Sequence, residues 1–171
     1  IGYLDNEIYG IWLTITSVMF WINTMDIGLG NGMRNYLAQA LSKGDYALGR
    51  RYITTTLALL SLLAIAMGAV AVFPMETIDF RHFFNTQALP NEALRDALGV
   101  AVAFTLLHFV VKNVGMVFVA MQKYALSDLL SVVGNLLALA IVYLCTLFAT
   151  PRLLYVVLAY TATPAAIYLL A

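Results

Sequence analysis

The chain has 171 residues, 63% of them hydrophobic and 11% charged, with nine Lys and Arg against nine Asp and Glu and a mean hydropathy of +0.88. Soluble domains carry about 25% charged residues, so this composition excludes an ordinary soluble enzyme. Zero net charge and the absence of a basic tract exclude a disordered chain and a nucleic-acid binder. What remains is an all-α, polytopic membrane protein. The chain opens on Ile1 and stops at Ala171 inside an apolar run, which reads as a fragment of something longer. Cys145 is the single cysteine, so no internal disulfide and no cysteine metal site can form. It lies in an apolar run, as a small buried side chain would.

Charges mark where the helices end. Glu7 to Asp26 encloses 18 uncharged residues, Arg51 to Glu76 encloses 24, Asp96 to Lys112 encloses 15 and Asp128 to Arg152 encloses 23, with 19 more from Leu153 onward. A span needs about 20 mostly apolar residues, because about 30 Å of hydrocarbon is crossed at about 1.5 Å per residue. The expectation is five transmembrane helices, at about 9–33, 52–75, 97–121, 128–149 and 153–171. The runs are continuously apolar rather than alternating, which favours helices over barrel strands.

The connections set the orientation. Residues 34–51 carry Arg34, Lys43, Arg50 and Arg51 against Asp45 alone, so by the positive-inside rule they are cytoplasmic. Alternation then places 76–96 outside, 122–128 inside, and Pro151-Arg152 outside. Within 34–51, Asn35 to Leu41 continues as a helix and Ser42-Lys43-Gly44-Asp45 is a turn. That helical piece reads as a short amphipathic segment at the interface. The acids of 76–96 read as solvated loop carboxylates.

Ionisable groups inside a bilayer cost a few kcal/mol or more, so each is a functional hypothesis. Lys112 lies about 5 Å past the midpoint of the third span. Thr105, His108, Lys112 and Gly115 share one face of that helix, which must meet protein or a watery cavity. One reading is a cationic spot in a translocation path for an anionic substrate. The other is a structural charge satisfied by neighbouring helices, Asp26 among them. His108 by itself reads as a packed or hydrogen-bonded histidine rather than a proton relay.

The first span carries a seam of Thr14, Ser17, Trp21, Thr24 and Gly28, read as a helix-packing face before a cavity lining. Asp26 has three open roles: pairing with Lys112, capping local backbone, or contacting Arg34. Gly28-Leu29-Gly30-Asn31-Gly32 lacks the lysine and hydroxyl of a phosphate loop and no strand precedes it. Gly28 and Gly32 are spaced for close helix contact, and the alternate glycines favour a bend. Pro164 should kink the last helix. In the fourth span, Asn135 reads as a hydrogen bond to a neighbouring helix. No catalytic constellation, cofactor motif or metal spacing appears.

Tyr9-Gly10-Ile11-Trp12-Leu13-Thr14, Trp21, Asp26 through Asn35, Leu37-Ala38 and Lys43-Gly44-Asp45 resemble the second-helix and following-loop pattern of polysaccharide flippases. These are the Wzx-type exporters of O-antigen and other lipid-linked oligosaccharides, within the MATE/MOP superfamily. Lys112-Asn113 and Gln122 through Asp128 resemble that family's fourth helix and next cytoplasmic turn. The resemblance covers roughly residues 1–135.

It implies a transporter rather than an enzyme, with two six-helix lobes about a central cavity, of which this chain would be helices two to six of the first. It also implies lipopolysaccharide or other polysaccharide biosynthesis in the bacterial inner membrane, and alternating access for a lipid-linked oligosaccharide. The other implied partners are membrane lipids, a coupling ion (H+ or Na+) and polysaccharide-assembly proteins. On that footing Lys112 meets the pyrophosphate or acidic sugars, supported by His108, Thr105 and Asn113, with Asp26 and Arg34 as further cavity residues. The alternatives are a MATE-type multidrug or cation antiporter, which calls for cavity carboxylates, and a membrane-embedded glycan polymerase or ligase, which calls for a large external loop. A non-transporting structural bundle is the remaining possibility, and the intramembrane lysine speaks against it.

Overall fold

The computed structural model describes residues 4–26, 28–73, 75–148, 150 and 152–171. They form eight helices: α1 (Asn6–Thr24), α2 (Leu29–Ser42), α3 (Tyr46–Val72), α4 (Phe80–Phe83), α5 (Asn91–Val111), α6 (Asn113–Ala120), α7 (Tyr124–Phe148) and α8 (Leu153–Leu170). Five helical stretches are long and apolar enough to cross a membrane: α1 with α2, α3, α5 with α6, α7, and α8. The chain is a multi-pass membrane helix bundle, and no strand occurs among the described residues.

One of the five spans breaks, and another tightens locally. The first breaks between Thr24 and Leu29 instead of running on to residue 33. The Asp26 carboxylate accepts from the Gly28 N–H at 2.9 Å, and Gly28 takes φ 77°, a left-handed conformation that a Cβ would disfavour. Asp26 therefore caps local backbone. No ion pair within 4 Å joins it to Lys112 among the described residues, although its charge acts on that ammonium from farther off. The third span tightens at Lys112 without breaking: the Gly115 N–H reaches back to the Lys112 carbonyl at 3.0 Å, an i to i+3 turn, while Lys112 keeps helical angles and its own N–H bonds the His108 carbonyl at 2.9 Å.

The remaining boundaries move by a few residues. α3 starts at Tyr46, after Gly44 at φ 72° and an Asp45 cap that accepts from the Leu48 N–H at 2.9 Å. The 42–45 turn is thus where it was expected. α7 starts at Tyr124 rather than 128. The Pro151-Arg152 connection falls partly on Pro151, outside the described residues. Helix α8 continues through Pro164 to Leu170.

The 76–96 connection is more built than a solvated loop. Phe80 is buried in the main core, and its N–H is accepted by the Asn91 side chain at 2.8 Å. α5 begins at Asn91, six residues earlier than expected, because Pro90 fixes the chain just before the helix. The added turns carry Glu92, Arg95 and Asp96. Glu7 reaches across to accept from the Thr86 hydroxyl and, at 3.3 Å, from the Gln87 N–H. Its carboxylate pins the start of α1 to this connection.

α5 is the central helix, flanked by α1, α3 and α8, with α7 beyond α8. α2 lies against α3 and α6. The main core joins Ile11, Ile15 and Met19 of α1 to Leu94, Ala97 and Ala101 of α5 and to Leu153 and Val157 of α8. In lipid, close packing rather than apolar burial drives helix association, so small residues mark the contacts. Gly134 is one: a Cβ there would lie 3.3 Å from Pro164 Cα, which sets how closely α7 meets α8. Gly30 is another: a Cβ there would collide with Asn113 Oδ1. Gly28 and Gly32 have nothing within 4 Å, so the contact glycine of the cluster is Gly30.

Three further expectations change. α2 buries Gly30, Met33, Leu37 and Ala40 against α3 and α6, so its apolar stripe packs on protein rather than lying on lipid. The Thr14, Ser17, Trp21, Thr24 and Gly28 seam is exposed, because the packing face of α1 is the Ile11, Ile15, Met19 stripe. Its hydroxyls bond to their own helix, Thr14 to the Gly10 carbonyl and Ser17 to the Leu13 carbonyl. Cys145 is half-buried, not fully enclosed.

Candidate functional site

The end of α1 and the tightened turn at Lys112 meet. A helix end leaves its last carbonyls without intrahelical donors. Asn23 is in the last turn of α1, and its carbonyl accepts from Lys112 Nζ at 2.6 Å. A cation at a helix C-terminus also complements the negative end of the helix dipole. Lys112 additionally sits 5.3 Å from the centroid of Phe109, the ring one turn back along α5. The lysine is half-buried, and one of its three donors is accounted for by Asn23.

Around it opens a cavity of about 250 Å³, bounded by α1, α5, α7 and α8. Thr105, His108 and Lys112 line it, as their shared helical face led us to expect. His108 Nδ1 stands 3.4 Å from Asn23 Oδ1. The Asn23 amide nitrogen is committed to the Met19 carbonyl at 3.1 Å, so its oxygen is the acceptor and His108 Nδ1–H the donor. His108 is thus a hydrogen-bonded histidine, with its ring 5.7 Å from that of Tyr168. Thr105 is 2% exposed and its Oγ1 has no hydrogen-bond partner. A buried hydroxyl without a partner is uncommon, and a guest in the cavity is one way to satisfy it.

The other named residues lie elsewhere. Asn113 is 1% exposed and faces α2, with its amide bonded to the Phe109 carbonyl at 3.1 Å. One residue beyond Lys112, it is rotated about 100° around the helix, away from the cavity. Asp26 is at the α1–α2 break and its carboxylate is committed to Gly28. Arg34 lines a different cleft, with the ends of α2 and α6 and the starts of α3 and α7.

The opposite wall was not anticipated. Ser131 and Asn135 of α7, and Tyr160, Thr161, Pro164 and Tyr168 of α8, complete the cavity. Asn135 is exposed on this wall and makes no hydrogen bond to a neighbouring helix among the described residues. The signal was present in the spacing, since Ser131 and Asn135 are four apart and Tyr160, Pro164 and Tyr168 recur every four residues. What spacing could not show is that these faces oppose Lys112. Chemically, the site offers one ammonium, several hydroxyls, two amides and a histidine, with no carboxylate on its walls among the described residues.

No family model, curated protein or solved structure matches this chain. The resemblance drawn from the sequence therefore stands on the residues quoted for it, and the site is read from its own geometry.

Proposed function

We propose that this chain is part of a membrane transporter that moves lipid-linked oligosaccharide across the bacterial inner membrane by alternating access. The observation that carries the reading is Lys112, an ammonium within the third apolar span that opens into a polar cavity with no carboxylate on its walls among the described residues, Asp26 acting on it only from the α1–α2 break. A charge so placed is costly, and it is compensated when an anionic ligand visits. About 250 Å³ holds a phosphate group or several waters, not an oligosaccharide. The charged linkage would sit at Lys112, with Thr105, His108, Ser131 and Tyr168 offering hydrogen bonds, while glycan and lipid extend beyond it.

The α1–α2 break beside Lys112 supports the same reading. Discontinuous helices are a recurring device for binding charged substrate in transporters that rock between two openings. A cation antiporter would need a carboxylate in this cavity, and none lines it among the described residues.

The test is Lys112→Ala in the complete gene product, expressed in a strain lacking its oligosaccharide flippase. Surface polysaccharide should fail to return while the protein level in the membrane holds. Full restoration by the variant overturns the reading. Drug export without polysaccharide export, from the unaltered protein, would move it to the antiporter class.

A further inference from the structure

A second polar cleft lies at the end of the bundle where α2 turns into α3 and α6 turns into α7. It measures about 580 Å³ and presents Arg34, Asn35, Ser42, Tyr46, Gln122 and Tyr124 as its polar groups. Its remaining wall is apolar, from Leu41, Val119, Ala120 and Met121. Arg34 is half-buried and its Nε–H donates to Asn35 Oδ1 at 3.3 Å. Among the described residues its terminal guanidinium nitrogens have no other partner. No carboxylate among the described residues lines the cleft; Asp26 and Asp45, the acids on either side of Arg34 in sequence, accept from the Gly28 and Leu48 N–H groups.

The surroundings give the position in the bilayer. Lys43, Arg50, Arg51 and Lys123 flank the cleft in sequence at the two turns. Tyr36, Tyr46 and Tyr124 stand exposed at the same end, where tyrosines mark the boundary between acyl chains and headgroups. A cationic fork beside an apolar wall, at headgroup depth, matches an amphiphile with a phosphate at one end. Basic pockets between helix ends on the basic side of a membrane protein bind anionic lipid headgroups through the same chemistry.

We propose that the Arg34 cleft is a binding site for an anionic membrane phospholipid, its phosphodiester held by the Arg34 guanidinium and its first acyl carbons lying along Leu41, Val119 and Met121. The site is separate from the Lys112 cavity, and its failure leaves the transport reading standing. A bound lipid would bridge α2, α3, α6 and α7 at one end of the bundle.

The test is native mass spectrometry of the purified complete protein with phosphatidylglycerol or phosphatidylcholine of matched acyl chains. The unaltered protein should retain phosphatidylglycerol in preference. Arg34→Gln should cut that preference about fivefold, the effect of one cation near a membrane surface. Arg152→Gln, a cation beyond the opposite end of the bundle, should leave it intact. Equal retention of the two lipids by the unaltered protein overturns the proposal, as does a preference that survives Arg34→Gln. If inorganic phosphate empties the site, the ligand is a soluble phosphate and the lipid assignment fails. Should Arg34→Gln not fold, Arg34→Lys, which keeps the charge, must keep the preference.

Discussion

Replacing Lys112 by Met separates a cavity cation that serves a ligand from one that only braces the fold. The substitution keeps most of the side-chain length and its apolar contact with Phe109, and removes the ammonium. Lost with it is the 2.6 Å bond to the Asn23 carbonyl. A hydrogen bond from a charged donor contributes about 1.5–3 kcal/mol. Gained is relief from holding a lysine charge at membrane depth, about 2.5–3.5 kcal/mol on insertion scales.

Both figures shrink here for the same reason: Lys112 is half-buried and its cavity admits water, which can also take over the freed carbonyl. The two effects oppose each other and are of similar size. The net change should stay within about 1 kcal/mol, or about 4 °C in Tm for a chain of this length. Thermal unfolding in detergent reads that quantity, and recovery of surface polysaccharide reads function in the same variant. The expected pair is a nearly unchanged Tm with lost transport. A Tm lowered by more than about 10 °C would mean that the ammonium is chiefly a cap for α1. Unchanged transport would mean that the cavity charge is not used.

Gly30→Ala should destabilise the protein by about 1–3 kcal/mol, because its Cβ collides with an Asn113 side chain already bonded to the Phe109 carbonyl. Gly32→Ala, with nothing within 4 Å of its Cβ, should not lower Tm, and equal losses from the two would refute the assignment of the contact to Gly30. Glu7→Ala should release the 76–96 connection from α1, since the carboxylate accepts from both Thr86 and Gln87. Amide exchange at residues 85–89 should quicken by at least about fivefold by mass spectrometry, and unchanged exchange would show that the latch is not holding.

The break in the first span and the cavity lysine lie together. The Asp26 and Gly28 pair ends α1, and the Asn23 carbonyl in that last turn accepts from Lys112.

Composition and charge spacing were sufficient for the class of the molecule. Runs of about 20 apolar residues have few solutions in a bilayer, because backbone groups must bond within the segment. The turn at Ser42 to Asp45 was also legible, since Gly44 and the Asp45 cap act on their immediate neighbours. So was the Thr105, His108 and Lys112 face, because three- and four-residue spacings fix what shares a side of one helix.

What the sequence could not supply was which faces oppose each other. In a chain apolar on all sides the usual amphipathic stripe is missing, and helix association is decided by shape. That is why the Thr14 and Ser17 seam was read as packing when the Ile11, Ile15 and Met19 stripe does the packing. It is also why Asn113, the neighbour of Lys112 in sequence, was placed in the cavity although its side chain turns toward Gly30. Tertiary structure alone brought Ser131, Asn135, Tyr160 and Tyr168 to face Lys112, because a cavity wall built by α7 and α8 depends on how closely Gly134 lets those helices approach.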